Sequence, residues 1–384
     1  MTREDSVPLA IPTIGPREIE LVTQAVTSGY VSSVGPLVTE FEHVFAEAVG
    51  SRYAIACSSG TAALHVALRV LGVGRGDEVA VSDFTFVGSV NPIAYLEASP
   101  LLVDSEADSW NLDPVLLMEH LEDRLAHSKA LPKVVEVVHV LGQPARLEDL
   151  LSFCREHDIA VLEDAAESLG ATWSEGSLAG AHTGTAGRMG AFSFNGNKIV
   201  TTGGGGMIVT DDSALARHAR HLTTQAKVAA VGYLHDEVGY NYRLTNLSAA
   251  LGVAQMERLQ TIVRRKRAIA EKYDSALSCL DLEAPPRIAG LDATYWLYSI
   301  LVPAEIGSNG RDRLLARLQS EGIGARALWR PLHQQPPFRD APRLGGSVAN
   351  ALFDRGVSLP CSYDLTELQQ DRVIAVVRSF FGSA

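Results

Sequence analysis

The sequence is poor in cysteine and has no long hydrophobic run. Four cysteines are spread over 384 residues, at positions 57, 154, 279 and 361, without a Cys-x-x-Cys pair or a cysteine–histidine spacing typical of a metal site. Few scattered cysteines in a long chain are typical of a reducing compartment, so we predict a cytoplasmic protein without disulfides or a metal. No apolar stretch approaches about 18 residues, so the sequence predicts neither a transmembrane helix nor a signal peptide.

Positive charge is also scarce. Lys and Arg number 33 against 45 Asp and Glu, which gives a formal net charge of −12. Nucleic acids and anionic membranes bind mainly to clusters of positive charge, so we expect neither as a partner. The remaining composition, 46% hydrophobic and 20% charged, is ordinary for a globular protein. A chain of this length is expected to form one large domain and a smaller second one.

Short apolar segments alternate with helix-like segments through the first 245 residues. The strand-like segments are 53–56, 78–81, 100–103, 134–140, 159–162, 190–193 and 206–209. This alternation predicts an α/β domain with a mostly parallel sheet between layers of helices. A long helical run, 246–277, then leads into a small α+β region. We therefore predict two domains, 1–245 and 246–384, with ligands bound at the carboxyl ends of the strands.

One lysine, Lys198, lies in an unusual segment, GAFSFNGNKIVTTGGGGM (residues 190–207). A single lysine near glycines is ordinarily a solvated charge on a flexible loop. Here four consecutive glycines allow the backbone to approach a ligand closely. A lysine becomes a nucleophile near neutral pH only if burial or nearby cations lower its pKa from about 10.4. The segment is therefore a candidate for a lysine that bonds covalently to a carbonyl compound.

Two other segments follow predicted strands. Asp164, in VLEDAAES, is either the N-cap of a following helix or a carboxylate that faces a ligand. The segment SSGTAALH, residues 58–65, joins a strand to a helix, where free N–H groups and hydroxyls can bind an anion. Each segment alone is weak evidence. Together with Lys198 they indicate a phosphorylated cofactor whose ring nitrogen needs a carboxylate partner.

Taken in chain order, a series of segments resembles the DegT/StrS family of pyridoxal 5′-phosphate (PLP)-dependent nucleotide-sugar aminotransferases. The segments are GYVSSVGP, SSGTAALHVAL, DFTFVGSVNPI, HVLGQPA, EDAAESLGA, FSFNGNKIVTTGGGGM, GYNYRLTNLSAALG, WRPLH and GVSLPCS. They cover nearly the whole chain, and as an ordered set they are highly specific. The resemblance implies fold type I of the PLP-dependent transferases.

The resemblance also implies roles for four residues around the cofactor ring. Lys198 matches the lysine that binds PLP as a Schiff base and then acts as general base and acid. Asp164 matches the carboxylate that faces the pyridine nitrogen, and Phe86, in DFTFVGS, matches the aromatic residue that stacks on the ring. Glu167 matches a position beside the phenolic oxygen, where many relatives have His or Gln. A Glu there needs a protonated or hydrogen-bonded arrangement.

The cofactor phosphate and a second subunit are implied in the same way. Gly60 and Thr61 match the phosphate-binding turn, and Ser193 matches a phosphate-binding hydroxyl. Asn241, in GYNYRL, matches a residue that reaches the phosphate from the partner subunit, which implies a homodimer with shared active sites. Two further residues match positions near the substrate mouth, Arg243 and His333.

The implied reaction moves an amino group from L-glutamate to a nucleotide-linked keto-sugar. Relatives with His in place of the lysine are sugar 3-dehydratases, so Lys198 favours transamination. The segments TFVGSVNPI, DSWNLDP and SFNGNKIVTTGGGGM resemble the branch that works on carbon 4 of 4-keto-6-deoxy sugars. The leading hypothesis is a UDP-4-keto-6-deoxy-N-acetylhexosamine 4-aminotransferase, with dTDP- or GDP-linked keto-sugars as the alternative. Two other classes stay open: a regulator that binds PLP without turnover, and a nucleotide-sugar-binding protein without PLP.

Overall fold

The computed structural model describes residues 6–229, 232–307 and 309–382. The helices are α1 (Pro16–Thr27), α2 (Pro36–Val49), α3 (Gly60–Val70), α4 (Val87–Tyr95), α5 (Pro114–Ala126), α6 (Glu148–Glu156), α7 (Ser213–Thr223), α8 (Asn246–Met256), α9 (Leu259–Leu277), α10 (Gly310–Ser320), α11 (Ser347–Arg355) and α12 (Glu367–Gly382). The strands are β1 (Tyr53–Cys57), β2 (Glu78–Ser82), β3 (Ser99–Val103), β4 (Val134–Val138), β5 (Ala160–Asp164), β6 (Thr172–Trp173), β7 (Met189–Ser193), β8 (Gly206–Thr210), β9 (Leu291–Asp292), β10 (Tyr298–Leu301), β11 (Arg326–Ala327), β12 (Arg343–Leu344) and β13 (Gly356–Leu359).

The central sheet has eight strands in the order β1-β8-β7-β5-β4-β2-β3-β12. The pairs from β7 to β12 are parallel, and β8 is antiparallel to both of its neighbours. The prediction of a mostly parallel sheet is therefore confirmed. Strands buried on both faces consist of nearly continuous apolar residues, as the sequence VVEVV of β4 illustrates.

Helices cover both faces of the sheet, and the alternation of side chains along each strand separates the two cores. In β1, Ile55 and Cys57 pack beneath α3, whereas Ala54 and Ala56 lie in the cluster that includes α2. The cluster that includes α2 is rich in aromatic rings. In it, Phe45 contacts Phe192 of β7 edge to face, with 4.9 Å between ring centroids. The two cores hold the carboxyl ends of the strands in fixed positions, and the functional loops begin there.

The C-terminal part has its own three-stranded sheet, β10-β13-β11, packed with α10 and α12. The predicted helical run 246–277 is interrupted after Met256, and the two resulting helices pack on different elements: α8 on α1 and α2, and α9 on α12. In addition, β12 returns to the large sheet beside β3. The domain boundary at residue 245 stays a prediction.

Two further findings concern the cysteines and the helices. All four cysteines are free thiols, and Cys279 is the exposed one. Within residues 6–229, 232–307 and 309–382, no helix is both long enough and apolar enough to cross a membrane.

Candidate active site

A cavity of about 610 Å³ opens at the carboxyl ends of β4, β5 and β7 and at the first turn of α3. Its volume lies in the range of about 300–1,000 Å³ that is usual for small-molecule sites. Seven of the residues singled out from the sequence line it: Gly60, Thr61, Phe86, Asp164, Glu167, Ser193 and Lys198. The fold therefore brings together residues from distant parts of the sequence. They meet at the carboxyl ends of the strands, where open α/β sheets bind their ligands.

Lys198 lies in the turn that follows β7 and is largely buried. Its Nζ lies 3.2 Å from Oε1 of Glu167 and 3.9 Å from the centroid of the Trp296 ring. A carboxylate and an aromatic face both attract an ammonium group, so they hold the amine in one place. Trp296 is fixed in turn, because its indole N–H donates to the carbonyl of Asn197 at 2.6 Å.

Asp164 is the last residue of β5, and its carboxylate is buried. Oδ2 accepts a hydrogen bond from the Ser89 hydroxyl at 2.8 Å, and Oδ1 accepts one from the Ala166 N–H at 3.0 Å. Burial raises the pKa of Asp164, while these hydrogen bonds and the charge of Lys198 act in the opposite direction. A cationic partner inside the cavity would stabilise the ionised form further.

Glu167 is held by an unusual backbone turn. Its Oε2 accepts a hydrogen bond from the Leu141 N–H at 2.9 Å. Leu141 has φ of 57° and Gly142 has φ of 91°, so a non-glycine residue adopts a left-handed conformation at this point. Burial raises the pKa of Glu167, and the charge of Lys198 opposes this shift. The hydrogen-bonded arrangement expected for a Glu at this position is present.

The start of α3 forms a tight turn against the end of β7. Ser59 caps the helix by accepting a hydrogen bond from the Ala62 N–H at 3.0 Å. A Cβ atom on Gly60 would lie 2.8 Å from the Cβ of Ser193, so only glycine fits there without a shift. The first turn of α3 and Ser193 therefore lie side by side in the lining of the cavity, and the free N–H groups of a helix start with nearby hydroxyls are suited to a phosphate group.

Aromatic side chains line other parts of the cavity. Phe86 precedes α4, and 56% of its surface is exposed, so its ring is available for stacking on a flat ligand. Trp296 and Trp329 also line the cavity and stack on each other with an interplanar angle of 12°. The sequence motifs do not assign a role to either tryptophan. For Trp329 the sequence does contain an indication of a role at the site, because this residue begins the WRPLH segment.

Three residues singled out from the sequence do not line this cavity. Asn241 is exposed, and its Oδ1 accepts a hydrogen bond from Gln225 at 2.7 Å. Arg243 forms an ion pair with Glu42 at 2.7 Å. His333 is buried, and its side chain and backbone N–H both bind Asp83. The roles of these residues toward the substrate or a partner subunit stay predictions.

The chain is similar to known aminotransferases over nearly its whole length. The DegT/DnrJ/EryC1/StrS aminotransferase family matches residues 12–378. EpsN of Bacillus subtilis (strain 168), whose name assigns it provisionally as a pyridoxal phosphate-dependent aminotransferase, is 43% identical over 378 residues, covering 97% of this chain and 95% of EpsN. GDP-perosamine synthase of Caulobacter vibrioides is 36% identical over 373 residues, or 97% of each chain. A DegT DnrJ EryC1 StrS aminotransferase from Brucella abortus has a crystal structure with a TM-score of 0.88 at 30% identity, over 95% of each chain.

The residues that line the cavity fit PLP. The cofactor has a phosphate, a ring nitrogen that is protonated only beside a carboxylate, and an aldehyde that reacts with an amine. The cavity offers the turn at Gly60, the buried carboxylate of Asp164 and the amine of Lys198. The chain therefore belongs to the DegT/DnrJ/EryC1/StrS aminotransferase family, has the type I fold of the PLP-dependent transferases, and is a PLP-dependent sugar aminotransferase.

Proposed function

We propose that this chain moves an amino group from L-glutamate to the 4-keto group of a nucleotide-linked 4-keto-6-deoxy sugar. One observation carries the proposal. The amine of Lys198 and the buried carboxylate of Asp164 line the same cavity, and each is held by its own set of contacts. Amino transfer needs a base that reaches the substrate carbon and a fixed negative charge beneath the ring nitrogen of the cofactor.

Each of the residues at the site has a separate task in this reaction. PLP, when bound, supplies the electron sink. Lys198 Nζ takes a proton from the substrate carbon and later returns one. Asp164 holds a proton on the ring nitrogen through its negative charge, and the hydrogen bonds from Ser89 and Ala166 keep both of its oxygens in place. Trp296 shields the amine from water on one side, since Nζ lies over its ring.

The identity of the nucleotide is the finer part of the proposal. The motif resemblance favoured a UDP-linked N-acetylhexosamine, with GDP- and dTDP-linked sugars as the alternative. The similarity to a GDP-perosamine synthase supports a GDP-linked sugar. We therefore place the GDP-linked 4-keto-6-deoxy sugar first and the UDP-linked N-acetylhexosamine second.

We also propose a cytoplasmic homodimer in which Asn241 completes the site of the partner subunit. Asn241 is exposed and lies outside the cavity of its own chain, as a residue with this role must. The connector GYVSSVGP exposes apolar side chains that a second copy would cover: Tyr30 is 50% exposed, Val31 46% and Val34 69%. Analytical ultracentrifugation tests the dimer, and Asn241→Ala should weaken PLP binding without loss of the dimer.

A mass-spectrometric screen tests the proposed activity. Purified protein with PLP and glutamate is incubated with GDP-, UDP- and dTDP-linked 4-keto-6-deoxy sugars, and the amino-sugar product is detected by its mass. We expect one nucleotide class to be converted well ahead of the others. If the protein binds PLP but neither reacts with glutamate nor aminates any of these sugars, the proposed donor and sugar class are wrong.

A further inference from the structure

The cavity contains very little positive charge for a site with two anionic substrates. Among the described residues that line it, the charged ones are Asp164, Glu167, Lys198 and Arg326. The proposed function, on which this inference rests, commits Lys198 to the cofactor. Arg326 is then the one cationic side chain left among the described lining residues. The same lining contains two carboxylates, and the protein has a net charge of −12.

Arg326 is held in place by its backbone, while its side chain is free. It is the first residue of β11 and pairs with Ser358 of β13, so the small C-terminal sheet fixes its Cα. Its side chain is exposed, and within residues 6–229, 232–307 and 309–382 no hydrogen bond or ion pair engages the guanidinium. The nearby Arg330, by contrast, donates to Gln334 at 2.9 Å and lies over the Phe353 ring.

A free guanidinium at this place matches the chemistry of both substrates. Glutamate carries two carboxylates, and a nucleotide-linked sugar carries a diphosphate. Guanidinium groups bind carboxylates and phosphates through two parallel hydrogen bonds, whereas an ammonium group lacks this planar fork. The proposed function assigns the neutral donors of Gly60, Thr61 and Ser193, which line the same cavity, to the phosphate of the cofactor.

We propose that Arg326 is the substrate-binding residue that receives this anion, a carboxylate of glutamate or the diphosphate of the sugar nucleotide. The small C-terminal domain thereby contributes the group that recognises the substrate, while the large sheet contributes Lys198 and Asp164. Substrate binding and the covalent chemistry are divided between the two parts of the chain.

The test compares Arg326→Gln and Arg326→Lys with wild type and with Arg330→Gln, which removes the same charge from an exposed arginine outside the cavity. The first arm follows the conversion of the PLP form to the pyridoxamine form by absorbance at increasing glutamate concentrations. The second arm measures the binding of GDP and of UDP to the pyridoxamine form by calorimetry. The absorbance of lysine-bound PLP before substrate is added reports whether the variant still folds and binds the cofactor.

In Arg326→Gln we expect affinity for glutamate, or for GDP or UDP, to fall by about 10-fold or more, because a charge-assisted hydrogen bond is lost. The rate at saturation should change much less, Arg326→Lys should lie between, and Arg330→Gln should match wild type. The arm that responds identifies the anion. Equal affinities of Arg326→Gln and wild type in both arms would overturn the inference. If wild type itself does not react with glutamate, the proposed function fails, and the GDP and UDP arm alone then decides the role of Arg326.

Discussion

Buried carboxyl groups lie on adjacent strands of the same sheet, yet they differ in what surrounds them. Asp164 at the end of β5 and Glu167 just after it accept hydrogen bonds and line the cavity. Glu136, in the middle of β4, is fully buried, and neither of its oxygens has a hydrogen-bond partner among the described residues. Burial raises the pKa of all three, and that of Glu136 lies well above its ordinary value.

The comparison shows that burial and a raised pKa do not by themselves mark a functional group. Asp164 and Glu136 point to the same face of the sheet, because Val138 pairs with Asp164 and Glu136 pairs with Leu162, two residues earlier. The two carboxyl groups differ in their position along the strand. Asp164, at the carboxyl end of its strand, meets hydrogen-bond donors and an open cavity, whereas Glu136, in the middle of its strand, meets no donor among the described residues.

The largest expected effect follows from removing the charge of Asp164. Asp164→Asn keeps the size of the side chain but cannot hold a proton on the ring nitrogen of the cofactor. We expect the glutamate half-reaction, followed by absorbance, to slow by about 100-fold or more. Asp113→Asn, at the N-cap of α5 and outside the cavity, is the matched control and should match wild type. An Asp164→Asn variant within about threefold of wild type would contradict the assigned role.

A smaller effect is expected at Glu167. Glu167→Gln still accepts a hydrogen bond from the Leu141 N–H but loses the charge beside Lys198, so the half-reaction should slow by about 10-fold. Glu167→Leu also leaves that N–H without an acceptor, and its thermal stability should fall below that of the Gln variant. Identical rates in wild type and Glu167→Gln would show that the charge has no part in the reaction.

The smallest effect on activity is expected at Glu136, and its effect on stability has the opposite sign. Glu136→Leu removes a carboxyl group without partners, so the free energy of unfolding should rise by about 1–3 kcal/mol with activity unchanged. Because burial raises its pKa, the folded chain binds this proton more tightly than the unfolded chain. The cost of burying this group is therefore smallest below the unfolded pKa of about 4.3, and the free energy of unfolding declines as the pH rises toward the folded value.

Denaturant unfolding of both proteins from pH 4 to pH 8, taken in steps of about one pH unit, checks this prediction. The stability of wild type should fall with increasing pH more steeply than that of Glu136→Leu. A Glu136→Leu variant that folds normally but loses activity would remove the distinction between the two positions, because it would give the carboxyl group in the middle of the strand a role at the site.

The part of the site that follows directly from the sequence comes from strand ends and short motifs. Lys198, Asp164 and the turn at Gly60 are local features, and the fold brings them together as the strand pattern predicts. Trp296 and Arg326 were missed, because they reach the cavity only through the packing of the C-terminal part. In the WRPLH segment Trp329 faces the cavity, whereas His333 turns toward Asp83, and the sequence does not reveal which of them points inward.

The most direct test of the central assignment is borohydride reduction of the purified protein with PLP, followed by peptide mapping. We predict a yellow protein in which reduction fixes the cofactor on the peptide that contains Lys198, and a colourless Lys198→Ala variant that does not convert glutamate. A cofactor fixed on another lysine, or full activity in Lys198→Ala, would contradict the assignment.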